Sequence, residues 1–330
     1  MGKLKFWIDN ARPISLPQSM LPALTAVALS AGAGEFSVVA AVASVFGVVF
    51  LHLGMNLLDD WFDYKVGSAE ARQAVATEGF RGRMVKYPYL TSGEATTRQL
   101  MVAIACFFGL AALMGLVVLY IRGVMILGWV AAALVIGISY SGWPLKLGYR
   151  GLGELVIFLM FGPLMMTGVY FAVTGGLDLK ITWLSIAVGL LVTNIVYSHS
   201  VLDSIPDQKM GKKTMAHLMG SSKGQIVLSA LINTVPYIMV VVAVVLKQLH
   251  FAYLAVLLVL PISLWLVGSL NDHVNGKEPD LEVKKWMGNM GEWEKYKEAG
   301  VAWFLLRWLN ARNIVTRFCL IIIIVNFIFG

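Results

Sequence analysis

Two groups of acidic residues in this chain have the spacing to hold hard cations. The first is Asn56-Leu-Leu-Asp59-Asp60-Trp-Phe-Asp63 and the second is Asp203-Ser-Ile-Pro-Asp207. On an α-helix, positions i, i+3, i+4 and i+7 share a face, so Asn56, Asp59, Asp60 and Asp63 point the same way. Asp203 and Asp207 do likewise. Each group closes an apolar stretch, and carboxylates crowded beside an apolar wall repel one another unless cations sit between them. Oxygen-only ligands select hard ions, and Mg²⁺ held by a few carboxylates keeps positions for water and substrate phosphates. Asn56, Asp59, Asp60, Asp63, Asp203 and Asp207 are therefore candidate metal ligands. The chemistry they point to is metal-bridged binding of a diphosphate at a membrane surface.

The elements that must position these residues are apolar. Of 330 residues, 58% are hydrophobic and 14% charged, with a mean hydropathy of +0.75. Apolar stretches of about 20 residues recur along the chain, as a bilayer core of about 30 Å requires of helical spans. The pattern predicts an all-α polytopic membrane protein with about nine transmembrane helices. They fall near 15–34, 36–58, 99–120, 123–142, 152–174, 181–202, 225–246, 250–270 and 312–329. The segment from Met1 to Pro13 lacks a continuous apolar core and a small-residue cleavage site, so no removable signal peptide is expected.

Basic residues set the orientation. Of the 26 lysines and arginines, all but Arg122, Lys180, Lys247 and Arg317 fall at the N-terminus or in the loops after the second, fourth, sixth and eighth spans. The positive-inside rule makes that side cytoplasmic and places both acid clusters there. The expected location is the cell (inner) membrane, with the active-site opening on the cytoplasmic side. This bias accounts for most of the net charge of +7, and no soluble domain is left to carry a nucleic-acid surface. Cys106 and Cys319 both fall inside predicted spans, so neither a disulfide framework nor a thiolate metal site is indicated.

The layout is that of one domain over 1–330 with two parallel four-helix repeats, about 15–142 and about 152–270, around a central cavity. An acid cluster ends the second helix of each repeat, followed by a basic polar loop. Between 271 and 311 the chain turns amphipathic. Trp286, Trp293, Trp303 and Trp308 among Lys and Glu predict helices lying in the headgroup layer, ahead of a C-terminal helix.

Four ordered stretches carry a family resemblance: Trp7 to Pro17, the Asp59 cluster, Tyr140-Ser-Gly-Trp-Pro-Leu-Lys146 with Gly151-Leu-Gly-Glu154-Leu, and Asp203-x3-Asp207-x3-Gly211-Lys-Lys-Thr214. The chain resembles the intramembrane prenyltransferases of the UbiA superfamily. Within it, the chain is most similar to the 1,4-dihydroxy-2-naphthoate polyprenyltransferases of menaquinone synthesis. The resemblance implies Mg²⁺ dependence and transfer of an isoprenoid from its diphosphate to a small aromatic acceptor. It departs from the pattern at two places. The first cluster has Asp59-Asp60 where the family begins Asn-Asp, and His199-Ser-Val-Leu202-Asp203 stands where naphthoate enzymes carry Asn-Asn-x-Arg-Asp.

Ionisation of an allylic diphosphate leaves a delocalised carbocation and concentrates negative charge on the leaving group, which Mg²⁺ and basic side chains stabilise. Lys146 and Arg150 are the first candidates for diphosphate contacts, followed by Arg72, Arg83, Lys86 and Lys212. Tyr140 and Tyr197 are candidates to flank the cation. Arg12 is expected to anchor an acidic or phenolic acceptor, and His199, one turn before Asp203, to take the acceptor's proton or orient it. Competing readings keep the fold but change the acceptor to a sugar phosphate, a glycerol phosphate lipid or a porphyrin, or remove it to give a cyclase. A transporter is the alternative of another class, opposed by acids that sit at helix ends rather than at the bilayer midplane.

Overall fold

A computed structural model of the chain describes residues 2–65, 87–142, 144–209, 211 and 213–330. Among the described residues every element is helical, and β-type pairing is confined to one bridge between Arg150 and Lys213. Among the described residues, seven helices are long and apolar enough to cross a bilayer. With two shorter ones they are α1 (Pro17–Leu29), α2 (Val38–Lys65), α3 (Thr97–Arg122), α4 (Ile126–Ser141), α5 (Gly153–Thr174), α6 (Leu179–Leu202), α7 (Ser222–Val245), α8 (Phe251–Val274) and α9 (Ala302–Phe329). Each predicted span overlaps one of them.

Local chemistry sets the ends. Thr96 and Gln99 form a reciprocal capping box at the start of α3, and Asp178 and Ser221 accept backbone N–H groups at the starts of α6 and α7. Gly123, at φ 71°, ends α3 in a conformation open to glycine. At the second acid cluster, α6 stops at Leu202 and a short helix restarts over Ser204–Lys209. Pro206 explains the break, because its ring clashes with the carbonyl four residues back, that of Leu202.

The central helix is α6, with 61% of its apolar window buried against 22% for the peripheral α3. The close crossing of α5 on α6 needs glycine on both sides. A Cβ on Gly162 would lie 2.6 Å from Gly189 Cα, and one on Gly189 would lie 2.9 Å from Gly162 Cα. The crossing coincides with a π-helical turn over Met160–Leu164 that includes Pro163.

The C-terminal region differs from expectation. The last helix starts at Ala302, ten residues before the predicted boundary, so Trp303 and Trp308 belong to it rather than to a separate interfacial helix. Arg307, fully buried, explains the continuity. Its guanidinium donates to the Ser269 carbonyl (3.0 Å) and the Trp303 carbonyl (2.8 Å), docking the start of α9 on α8. Only the short helix Trp293–Glu298 and a turn at Lys285–Met287 remain from the predicted interfacial set.

Candidate active site

The first acid cluster lies on the last two turns of α2. Asp60 and Asp63 are each 2% exposed. Arg12 reaches over them from the turn before α1, with Nη2 3.3 Å from Asp60 Oδ1 and 3.5 Å from Asp59 Oδ2, and donates to the Asn56 carbonyl at 2.6 Å. Burial works against the Arg12 charge, but Asp60 and Asp59 outweigh it and raise its pKa above the ordinary arginine value. Asn56 holds the same turn from the other side, its amide nitrogen donating to the Ala11 carbonyl (2.9 Å) and Ser15 Oγ (3.0 Å). Tyr89 donates to Asp60 Oδ2 at 3.1 Å, and burial together with the Asp60 charge raises its pKa.

The end of α4 and the loop after it complete this cluster. Ser141 donates to Asp59 and Tyr149 donates to Asp63. The Tyr140 ring packs beside Gly148 and Gly153, next to the residues that fasten this region to the first cluster. Glycines admit it: a Cβ on Gly148 or Gly153 would come within 3.3 Å of its ring. Lys146 sits in the same loop with φ 44°, half-buried, and no described residue makes an ion pair or side-chain hydrogen bond with its ammonium.

The second cluster is held at the broken end of α6. His199 Nε2 lies 3.0 Å from Asp203 Oδ2, and its ring meets the edge of Phe304 at 5.2 Å. Asp203 Oδ1 is buried without a hydrogen-bond partner among the described residues. Asp207 is 2% exposed. Four hydrogen-bonded pairs sew the end of α6 and the loop after it to the loop after α4 and the start of α5. Gly151 N–H donates to the Lys213 carbonyl (2.9 Å), Lys213 N–H donates to the Tyr149 carbonyl (3.2 Å), and the buried Glu154 accepts from Ser200 Oγ (2.7 Å) and Met215 N–H (3.3 Å). His217 adds a tie from the same loop to the Ser204 carbonyl at 2.7 Å.

Residues 19–288 match the UbiA prenyltransferase family. The chain belongs to that family. A 1,4-dihydroxy-2-naphthoate octaprenyltransferase of Bacillus subtilis (strain 168) is 29% identical over 243 residues, 73% of each chain. A 2-carboxy-1,4-naphthoquinone phytyltransferase of Synechocystis sp. is 24% identical over 266 residues, 80% of this chain and 81% of that one. A solved UbiA homologue from Archaeoglobus fulgidus, bound to DMAPP and Mg²⁺, has the same fold at a TM-score of 0.59 and 16% identity, covering 94% of this chain and 99% of that one. As a UbiA-family protein the chain is a prenyltransferase, and its apolar helices make it an integral membrane protein.

Within this UbiA fold, Arg12, Asn56, Asp59 and Asp60 meet directly, Asp63 is tied to Tyr149 in the loop that follows Tyr140, and the segment after Asp207 is hydrogen-bonded to that loop. Arg150 is exposed and donates to the Pro144 carbonyl of its own loop at 3.2 Å. Tyr197 is fully buried, its hydroxyl donating to the Gln225 carbonyl at 2.8 Å, so it braces α6 at the start of α7. Leu202 is 4% exposed and packs in the core. Arg72, Arg83, Lys86 and Lys212 lie outside the described residues. Sequence reasoning passed over Ser141, Tyr149, Tyr89 and the fastening role of Glu154. No spacing rule joins them to the carboxylates, since Ser141 and Tyr149 are 82 and 86 residues from their partners. His52 was also passed over, although it lies four residues before Asn56 on the same helical face.

Proposed function

We propose that this enzyme transfers a polyprenyl group from its diphosphate to an aromatic quinone precursor such as 1,4-dihydroxy-2-naphthoate, with Mg²⁺ as cofactor, and that its site opens to the cytoplasmic side of the cell membrane. The observation that carries the reading is the hydrogen bonding that ties the loop fastened to Asp59 and Asp63 to the end of α6 and the chain that follows Asp203 and Asp207. The relatives named for naphthoate and naphthoquinone substrates support the acceptor class. The DMAPP- and Mg²⁺-bound homologue supports the donor and the metal.

The carboxylates suit Mg²⁺ in number and kind. Among the described residues no group of three or more His, Cys, Asp or Glu side chains gathers into a site for one ion. Mg²⁺ commonly takes one or two carboxylates and fills its remaining positions with phosphate oxygens and water. The buried, unpartnered Asp203 Oδ1 is a donor of the required type. When bound, Mg²⁺ supplies the positive charge that stabilises the diphosphate leaving group.

The chain's own residues do the rest. Lys146 adds positive charge to the departing diphosphate from a loop fixed on both clusters. The Tyr140 ring offers its face to the allylic cation. Arg12 presents a fixed cation to an acidic or phenolic acceptor, and His199 beside Asp203 takes the acceptor's proton.

The test is purified protein in nanodiscs, given a long-chain prenyl diphosphate and a panel of acceptors, with and without Mg²⁺. The expected result is diphosphate release coupled to a prenylated naphthoate, abolished by chelation. Transfer only to a sugar phosphate, a glycerol phosphate lipid or a porphyrin would overturn the acceptor, and full activity in chelator would overturn the metal.

A further inference from the structure

The polar stripe on α2 runs one turn deeper than the acid cluster. His52 lies four residues before Asn56 and seven before Asp59, so it shares their face. Both ring nitrogens meet hydroxyls of the chain around the start of α1. His52 Nδ1 is 2.6 Å from Ser19 Oγ, and Nε2 is 3.1 Å from Ser15 Oγ. Ser15 Oγ also lies 2.8 Å from the Arg12 carbonyl and receives the Asn56 amide at 3.0 Å.

Counting protons assigns the tautomer. Ser15 has one hydroxyl proton, and the Arg12 carbonyl, which can only accept, takes it. Nε2 must therefore carry the imidazole proton and donate it to Ser15. Nδ1 then accepts from Ser19, whose alternative, the Leu16 carbonyl, is farther away at 3.2 Å. The imidazole is neutral and bonded at both ends. Phe161, on the π-helical turn of α5, lies against it at 5.5 Å between ring centroids and limits rotation of the ring.

The segment held in this way is a turn that does not form by default. Arg12 has φ 61°, a left-handed conformation that residues other than glycine rarely adopt, and Pro13 follows it. The turn aims the guanidinium at Asp59 and Asp60.

We propose that His52 is a positioning residue for prenyl transfer, acting through Ser15, Ser19 and the left-handed turn at Arg12 to hold the guanidinium over Asp59 and Asp60. The proposal rests on the reading that Arg12 works at the reacting centre. A histidine that merely fills space would affect folding without reproducing the loss of Arg12.

The experiment is a double-mutant cycle on the full chain in nanodiscs with His52→Leu, Arg12→Ala and both together, alongside His52→Gln. His52→Leu should reproduce the kinetic pattern of Arg12→Ala, with kcat/KM for the acceptor down about tenfold, the equivalent of one strong hydrogen bond. In the Arg12→Ala background, His52→Leu should add less than about twofold, as expected of coupled residues. Glutamine offers an N–H to Ser15 and a carbonyl to Ser19, so His52→Gln should restore most of kcat/KM. Multiplying effects in the double variant would overturn the proposal, as would a glutamine variant that recovers the melting temperature but not kcat/KM.

Mn²⁺ affinity, followed by electron paramagnetic resonance, gives a readout independent of the acceptor. Arg12 competes with a cation for Asp59 and Asp60, so Arg12→Ala and His52→Leu should tighten Mn²⁺ binding by the same factor. Different factors would overturn the His52 proposal. If the wild type prenylates no aromatic acceptor, the functional reading fails, and equal Mn²⁺ shifts would still uphold the link from His52 to Arg12.

Discussion

Glu154→Ala tests whether the two acid clusters are brought together by the fastening between their loops. Glu154 is 2% exposed and accepts two sets of hydrogen bonds from the second half: Ser200 Oγ at 2.7 Å, and Met215 N–H shared between both oxygens at 3.3 Å. A hydrogen bond to a charged group contributes about 1.5–3 kcal/mol, and the long Met215 contact belongs at or below the bottom of that range. Removing the carboxylate also relieves its own desolvation, which offsets part of the loss. The net cost expected for Glu154→Ala is therefore about 2–3 kcal/mol. Glu154→Gln keeps a neutral acceptor for Ser200 and should cost about 1 kcal/mol. Stability is read by unfolding in an SDS titration, and the local effect by limited proteolysis between residues 203 and 224. The alanine variant should unfold earlier, be cut faster in that loop, and lose prenyl transfer through kcat, because the end of α6 and the loop after it are no longer fastened to the start of α5. Unfolding within about 0.5 kcal/mol of wild type, the range of an ordinary surface substitution, with unchanged cleavage would refute the reasoning.

Asp60→Asn, Asp63→Asn, Asp203→Asn and Asp207→Asn should each remove most prenyl transfer while the protein stays inserted and folded, checked by activity and gel filtration. Lys146→Ala should weaken prenyl diphosphate binding by about 1.5 kcal/mol, the low end for a charged hydrogen bond because the side chain is only half-buried, with little change in acceptor KM. Gly162→Ala places a methyl group against the Gly189 backbone and should destabilise the α5–α6 crossing by about 1–3 kcal/mol, measured by SDS unfolding. Gly153→Ala crowds the Tyr140 ring at 3.3 Å and should lower kcat more than it lowers stability, measured by initial rates and melting.

Much of the fold was legible in the sequence because lipid imposes a one-dimensional rule. A span must be apolar over its length and satisfy its own backbone, so composition along the chain locates helices without knowledge of their neighbours. Helical periodicity likewise grouped Asn56, Asp59, Asp60 and Asp63. The start of α9 escaped this reasoning. Trp303 and Trp308 read as interfacial residues, but burial of Arg307 against Ser269 and Trp303 makes them part of a continuous helix. That compensation depends on a carbonyl of another helix.

The residues capable of chemistry were thus visible by type and local spacing, and their partnerships were not. Sequence marked Arg12 as basic and Tyr140 as aromatic. Packing set the first over Asp59 and Asp60 and the second against Gly148 and Gly153. The same holds for Tyr149 on Asp63, Glu154 on Ser200, and His52 between two serines of another segment. Hydropathy and helical period are properties of neighbouring residues. Contacts across tens of residues depend on how helices cross, and that is decided by small residues such as Gly162 and Gly189, by the break before Pro206, and by polar groups that must find partners once water is excluded.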